Sequence, residues 1–231
     1  PGFILGDSVS SIEQALGNWG LGNHRPVIYT IFIRICIRIG LMYGNLALGV
    51  AIYSILQMLF VSFALAKSIE WLSRHKCPCI VSCIITGCFV LMPFFGETSI
   101  AMWKDPLFGA STVLWTLSLL DYMESSPEKE KHQNLLAVFI TSLLVCFTRN
   151  NGIYSLIFSL LVIAVECIRH YTNFKKQYYK LFITGTIVTM IYFLIIGPAY
   201  TKLKIIPTEK AESVGICLNQ MARVAASPDG V

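Results

Sequence analysis

The sequence predicts an all-α, polytopic transmembrane helical bundle, and three observations carry that expectation. Mean hydropathy is +0.65. Of the 231 residues, 55% are hydrophobic and only 13% charged, which would leave a soluble domain with more apolar surface than it could cover. Apolar runs near the length needed to cross a hydrocarbon core of roughly 30 Å recur along the chain, with the charges gathered between them.

Residues 1–45 read as an outer loop containing an interfacial helix. The first residues, "PGFIL", look like the exit of a preceding apolar segment, so the chain is expected to be a fragment of a longer multispanning protein. "SSIEQAL" reads as a helix with Ser10 or Ser11 near its cap and Glu13 on its solvated face. In "NHRPVIYT", Pro26 suits a first helical position. "IYTIFIRICIRIG" is ambiguous. Ile33, Ile35, Ile37 and Ile39 alternate like a strand, whereas Arg34 and Arg38 are one helical turn apart. A helix in the outer interface is favoured, because an unpaired strand edge has no backbone partners in lipid. Its two arginines suit either lipid headgroups or substrate.

Residues 46–200 are expected to form the bundle, with about six spans by the length criterion. They are Leu46–Ala66, Cys79–Phe95, Pro106–Met123, Leu135–Thr148, Ile153–Ile168 and Leu181–Tyr200. The polar link between the fourth and fifth must sit near the membrane surface. Residues 201–231 begin an outer tail.

Lysine and arginine set the orientation. Lys67, Arg74 and Lys76 follow the first span, Lys129 and Lys131 the third, and Arg169, Lys175, Lys176 and Lys180 the fifth. The alternate loops, "GETSIAMWKD" and "TRNNG", hold only Lys104 and Arg149. The first set therefore marks the cytoplasmic side of a plasma membrane, and the opening loop, the "WKDP" loop, the "TRNNG" turn and the tail face outside. The net charge of +5 is largely this topological signal and gives no footing to nucleic-acid binding.

Few polar groups interrupt the spans. Gln57 is the clearest, and a helix-to-helix hydrogen bond is its expected role. Glu166 lies near Arg169 and His170, which suggests a local ion pair. Cys36, Cys83, Cys88, Cys146 and Cys167 fall in apolar runs and read as buried small hydrophobes. Cys77, Cys79 and Cys83 are close together, but no histidine or second CxxC pair completes a zinc set, so no metal is expected.

The unusual polar residues therefore converge on one face. "WKDPLFG" sets Lys104 and Asp105 at the start of a span behind the interfacial Trp103; as a structural motif it is an aromatic anchor with a capping carboxylate. "TRNNGIY" sets Arg149 and Asn150 before a turn at Asn151-Gly152. Two cations at the lipid surface, on the side holding Asp7, suggest an anionic ligand with an apolar tail, such as a lipid phosphate.

The "GDS" stretch, "NHRPVIYT", "WKDPLFG", "TRNNGIY" and "LNQMAR", in that order, resemble bacterial membrane glycosyltransferases of the GT-C type, in a branch related to protein O-mannosyltransferases and lipopolysaccharide-modifying enzymes. The resemblance implies a GT-C-like bundle and a polyprenyl-phosphate sugar as donor substrate, with no separate cofactor. The acceptor would be an envelope glycan, lipid or protein. It also implies that Asp7, on the first outer loop, is the catalytic base or acceptor-positioning carboxylate, with Glu13 behind it. His24, Arg25 and Pro26 correspond to a His-Pro-Pro-like motif before an interfacial helix. His24, Arg25, Lys104, Asp105, Arg149 and Asn150 would bind substrate. The chain departs from the pattern in having Arg25 where proline is frequent and in lacking an Asp-Glu pair at the first site. A flippase or transporter and a non-catalytic envelope-assembly protein are the alternatives.

Overall fold

The computed structural model describes residues 6–23, 26–125, 128–169, 176–206 and 221–223. The opening "PGFIL", His24, Arg25, His170, Lys175 and most of the tail lie outside the described residues, as does the side chain of Asp7. The described residues are mainly helical, with α1 to α9 following one another along the chain, and an isolated bridge pairs Gly22 with Ile206.

Helix α1 (Gly6–Leu16) starts earlier than its sequence suggests, so Ser10 and Ser11 lie within it rather than at its cap. Ser8, Ser11, Ile12 and Ala15 form its buried stripe and pack it against α2. Gly17, at φ +89°, closes it, with the Gly17 and Asn18 amides donating back to the Glu13 carbonyl at 3.1 and 3.0 Å. Asn18 also donates to the Glu13 carboxylate at 2.6 Å, which keeps that charge in local service at the end of α1.

Helix α2 (Val27–Met42) follows Pro26, which occupies the cap rather than the first helical position. The strand alternative fails because the isoleucines serve two helical faces. Val27, Thr30, Ile33, Ile37 and Gly40 are buried, while Ile28, Ile31, Ile35, Ile39 and Met42 form an exposed stripe on the opposite side. The buried face lies on α3 (Leu46–Arg74) in an antiparallel hairpin. Gly40 and Gly49 make that approach possible: a Cβ on Gly40 would lie 2.3 Å from the Gly49 nitrogen. The Asn45 side chain caps α3 by accepting from the Ala47 and Leu48 amides at 2.9 and 3.4 Å.

The second expected span is broken. Helix α4 (Cys79–Leu91) and helix α5 (Pro93–Ile100) meet at 54°, because Pro93 cannot supply the amide that would continue α4. The pair still crosses the bundle. It leaves α3 just beyond Arg74 and ends against Tyr53, Ser54 and Gln57, about 20 residues and roughly 30 Å back along α3. No residue of α4 is buried. Cys83 and Cys88 therefore depart from the expectation of burial, while Cys36 and Cys146 meet it and Cys167 is intermediate.

Helix α6 (Lys104–Glu124) and helix α7 (Glu128–Thr148) form the central hairpin, flanked by α3 on one side and by α8 (Gly152–Arg169) and α9 (Lys176–Lys202) on the other. Among the described residues three segments are individually long and apolar enough to span a membrane, Leu46–Arg74, Gly152–Arg169 and Tyr178–Lys202, and the bent α4–α5 pair is so only when its two helices are taken together. The expected third span is less apolar because α6 carries charges at both ends and hydroxyls between them. Ser111, Thr112, Thr116 and Ser118 donate to carbonyls one turn back at 2.7–2.9 Å, so these four hydroxyls find partners within their own helix. The short link before α8 requires Gly152, where a Cβ would lie 2.0 Å from the Val145 carbonyl oxygen. Glu166 pairs with Arg169 at 3.3 Å, as its spacing suggests.

At the end of the bundle holding Arg74, that guanidinium lies 3.1 and 3.2 Å from the two Asp121 carboxylate oxygens. His75 stacks on Trp71 with ring centroids 3.8 Å apart and pairs with Glu124 at 2.6 Å. The Trp71 carbonyl, with the Glu124 carboxylate second, raises the His75 pKa above its ordinary value of 6.5. A raised folded-state pKa adds stability that is complete below the unfolded value and is lost as pH rises through the folded one. The melting temperature in detergent is therefore expected to decline as pH rises above about 6.5, and His75→Ala is expected to flatten that decline. Equal slopes in wild type and variant would refute the coupling.

Candidate functional site

The opposite end of the bundle gathers most of the described residues singled out in the sequence. Lys104 and Asp105 occupy the first turn of α6, after Trp103 at its cap, where the helix dipole favours the carboxylate. Arg149 and Asn150 follow the last turn of α7. The α6–α7 hairpin brings the two pairs together. Arg149 Nη1 lies 3.1 Å from Asp105 Oδ1, and its guanidinium carbon is 5.5 Å from the centre of the Phe108 ring, one turn further along α6. The buried Asp105 Oδ1 accepts no hydrogen bond among the described residues, so the Arg149 contact is an ion pair without a directed N–H bond. The remaining guanidinium donors can serve a second anion.

Asn150 holds the turn in place. Its side-chain amide donates to the Asn23 carbonyl at 2.7 Å. Tyr192 on α9 reaches the Asn150 carbonyl at 3.4 Å. The Asn23 amide donates to the Ile206 carbonyl at 2.9 Å, and Ile206 donates back to Leu21 at the same distance. The loop before α2, the Arg149 turn and the exit of α9 are thus tied at one level. Of the expected substrate-binding residues, Asn150 is a structural tie, while His24 and Arg25 lie outside the described residues.

The first turn of α1 reaches the same end. The Ser8 hydroxyl donates to the Met102 carbonyl, two residues before Lys104. Asp7, the neighbour of Ser8, is therefore placed by its backbone beside the start of α6 and not across the bundle.

Gln57 secures the segment leading to Lys104. It is fully buried, and its side-chain nitrogen donates to the carbonyls of Thr98, Ser99 and Ala101 at 3.2, 2.9 and 2.6 Å. Its side-chain oxygen accepts from Tyr53 at 2.6 Å, and the same hydroxyl lies 3.4 Å from the Trp103 carbonyl. Ser54 donates to the Ile100 carbonyl at 3.2 Å. The expectation of an interhelical bond at Gln57 is met in a particular form: α3 caps the last turn of α5. Tyr53, Ser54 and Phe108 were not singled out by sequence. Tyr53 and Ser54 share the Gln57 face at spacings of four and three, a signal present in the sequence.

A cleft of about 330 Å³ opens beside this site between α2, α3, α6 and α7. Among the described residues no group of three or more histidine, cysteine or acidic side chains is arranged to hold a metal.

Fold and site together define a polytopic helical membrane protein with a polar cluster at one end of its bundle. The chain belongs to a family of unknown function (DUF6020), which it matches over residues 18–231. The first helix and Asp7 precede the matched range. No curated protein and no solved structure matches the chain.

Proposed function

We propose that this protein is a membrane glycosyltransferase of GT-C type that transfers a sugar from a polyprenyl-phosphate donor to an envelope acceptor on the outer side of the plasma membrane. The observation that carries the proposal is the meeting of Lys104, Asp105 and Arg149 with the Asp7-bearing turn of α1 at one end of the bundle. The excess of lysine and arginine at the other end supports the reading that this other end is the cytoplasmic one. In the reaction, Asp7 takes the proton of the acceptor hydroxyl as its oxygen bonds to the anomeric carbon. The bond from that carbon to the donor phosphate oxygen breaks, and polyprenyl phosphate leaves with the electron pair. Arg149 and Lys104 stabilise the departing anion, so no nucleotide-binding fold is needed. Asp105 holds Arg149 at the site.

The broken α4–α5 span favours a second reading, a transporter, because such folds place ion and substrate sites at helix breaks. The residues at the break, Leu91, Met92 and Phe94, are nevertheless exposed on the outside of the bundle, whereas such sites are built at the interface of helices in its interior. Membranes containing the full-length protein, given radiolabelled polyprenyl-phosphate sugars, are expected to yield a labelled envelope product. Absence of product with every donor, despite intact insertion, would count against transfer.

A further inference from the structure

We infer that the pocket between α3, α6 and α7 at the Arg74 end of the bundle binds the headgroup of an amine-bearing zwitterionic phospholipid, of the phosphatidylethanolamine type. This pocket, of about 350 Å³, lies at the opposite end from the Arg149–Asp105 pair and has no part in the proposed transfer. Its lining changes character along its length. On α3 the order is Phe63, Lys67, Glu70, Arg74, and on α6 it is Leu114, Leu117, Asp121, so on both helices polarity rises toward the same end. The apolar part faces the bilayer interior and the charged part the membrane surface. That is the profile of a lipid from its chains to its headgroup.

The charges select the headgroup. Lys67 lies 2.6 Å from Glu70, and Arg74 lies 4.0 Å from Glu70 and 3.1 Å from Asp121. Two cations and two carboxylates sum to zero, which distinguishes this pocket from the basic pockets that take anionic headgroups. The Arg74–Asp121 pair joins α3 to α6, whereas the Lys67 and Glu70 side chains are 42% and 51% exposed. An ion pair that exposed contributes little by itself, so its two charges can turn to a ligand carrying both signs. Lys67 and Arg74 have donors beyond those used in these pairs and suit a phosphate. Glu70 suits an ammonium, and favours a head that donates N–H bonds over a quaternary choline head that has none. The Ser118 and Thr141 hydroxyls, also in the lining, donate to the Leu114 and Ala137 carbonyls at 2.8 and 2.7 Å, which leaves the charged side chains to set the selectivity.

The test exposes the full-length protein, purified in detergent, to an equimolar mixture of phosphatidylethanolamine, phosphatidylcholine and phosphatidylglycerol with identical chains. Native mass spectrometry counts the lipid retained. One phosphatidylethanolamine is expected per protein, in preference to either other lipid by about fivefold or more. Glu70→Gln, at a half-exposed position, removes the anion that faces the ammonium and should bring the preference over phosphatidylcholine below about twofold. It also leaves the pocket net positive, so phosphatidylglycerol should gain. Ala137→Phe places a ring in the pocket and should abolish retention at an unchanged melting temperature; if that variant does not insert, Glu70→Gln decides. Arg149→Ala, at the far end of the bundle, should retain the lipid as wild type does. Equal retention of the three lipids, a wild-type preference for phosphatidylglycerol, or an undiminished preference in Glu70→Gln would overturn the assignment, as would loss of the lipid in Arg149→Ala.

Discussion

Asp7→Asn is expected to lower sugar transfer by roughly a hundredfold or more while leaving donor binding little changed, because the substitution keeps size and most hydrogen bonding but removes the anion that takes the proton. Arg149→Ala is expected to behave differently. The phosphate is charged in both the bound donor and the transition state, so losing its cation should weaken donor binding as well as turnover. The variant also leaves Asp105 without its ion-pair partner, so membrane insertion and melting temperature must be compared with wild type. Initial rates over a range of donor concentrations separate the two patterns. Wild-type turnover in Asp7→Asn would remove Asp7 as the base and leave Glu13 or Asp105 as the carboxylate to test.

Gln57→Leu is expected to produce the largest loss of stability. The substitution preserves bulk but withdraws the one side-chain nitrogen that serves three carbonyls, and it leaves the Tyr53 hydroxyl without its 2.6 Å acceptor. Each buried polar group left unsatisfied costs about 1–3 kcal/mol, so a loss of about 3 kcal/mol or more follows if the segment cannot rearrange. Thermal unfolding in detergent measures it. Loosening of α5 should also increase thiol labelling of a cysteine placed at Thr98. A change below about 0.5 kcal/mol, the scale of an ordinary surface substitution, would show that the carbonyls find other donors.

The helices were legible in the sequence because length and hydropathy alone decide whether a segment can lie in a membrane. Other features depended on geometry that composition does not carry. Pro93 sits inside a run that reads as one continuous span from Cys79 to Phe95, and only the structure shows the break before it. The isoleucines of α2 hid their helical order because Ile33 and Ile37 are buried while Ile35 and Ile39 are exposed; one residue type on both faces imitates alternation. Nothing in the residue pattern of α2 signals that its other face packs closely on α3 through Gly40 and Gly49.

Within the candidate site, sidedness was readable and pairing was not. The topology put Lys104 and Arg149 at one membrane surface, yet the contact between Asp105 and Arg149 depends on the register of the α6–α7 hairpin. Asn150 was expected to bind substrate on the strength of the resemblance alone, which carries no information about its partners in the fold. In the structure its side-chain amide ties the turn to Asn23.

The most direct measurement follows the fate of the donor itself. Purified full-length protein in vesicles would receive a polyprenyl-phosphate sugar in the outer leaflet, labelled separately in the sugar and the phosphate, together with an envelope acceptor extract. Transfer predicts that sugar-free polyprenyl phosphate and labelled acceptor appear in equal amounts on the outer side, and that Asp7→Asn suppresses both. Intact donor crossing to the inner leaflet, with neither product formed, would contradict it.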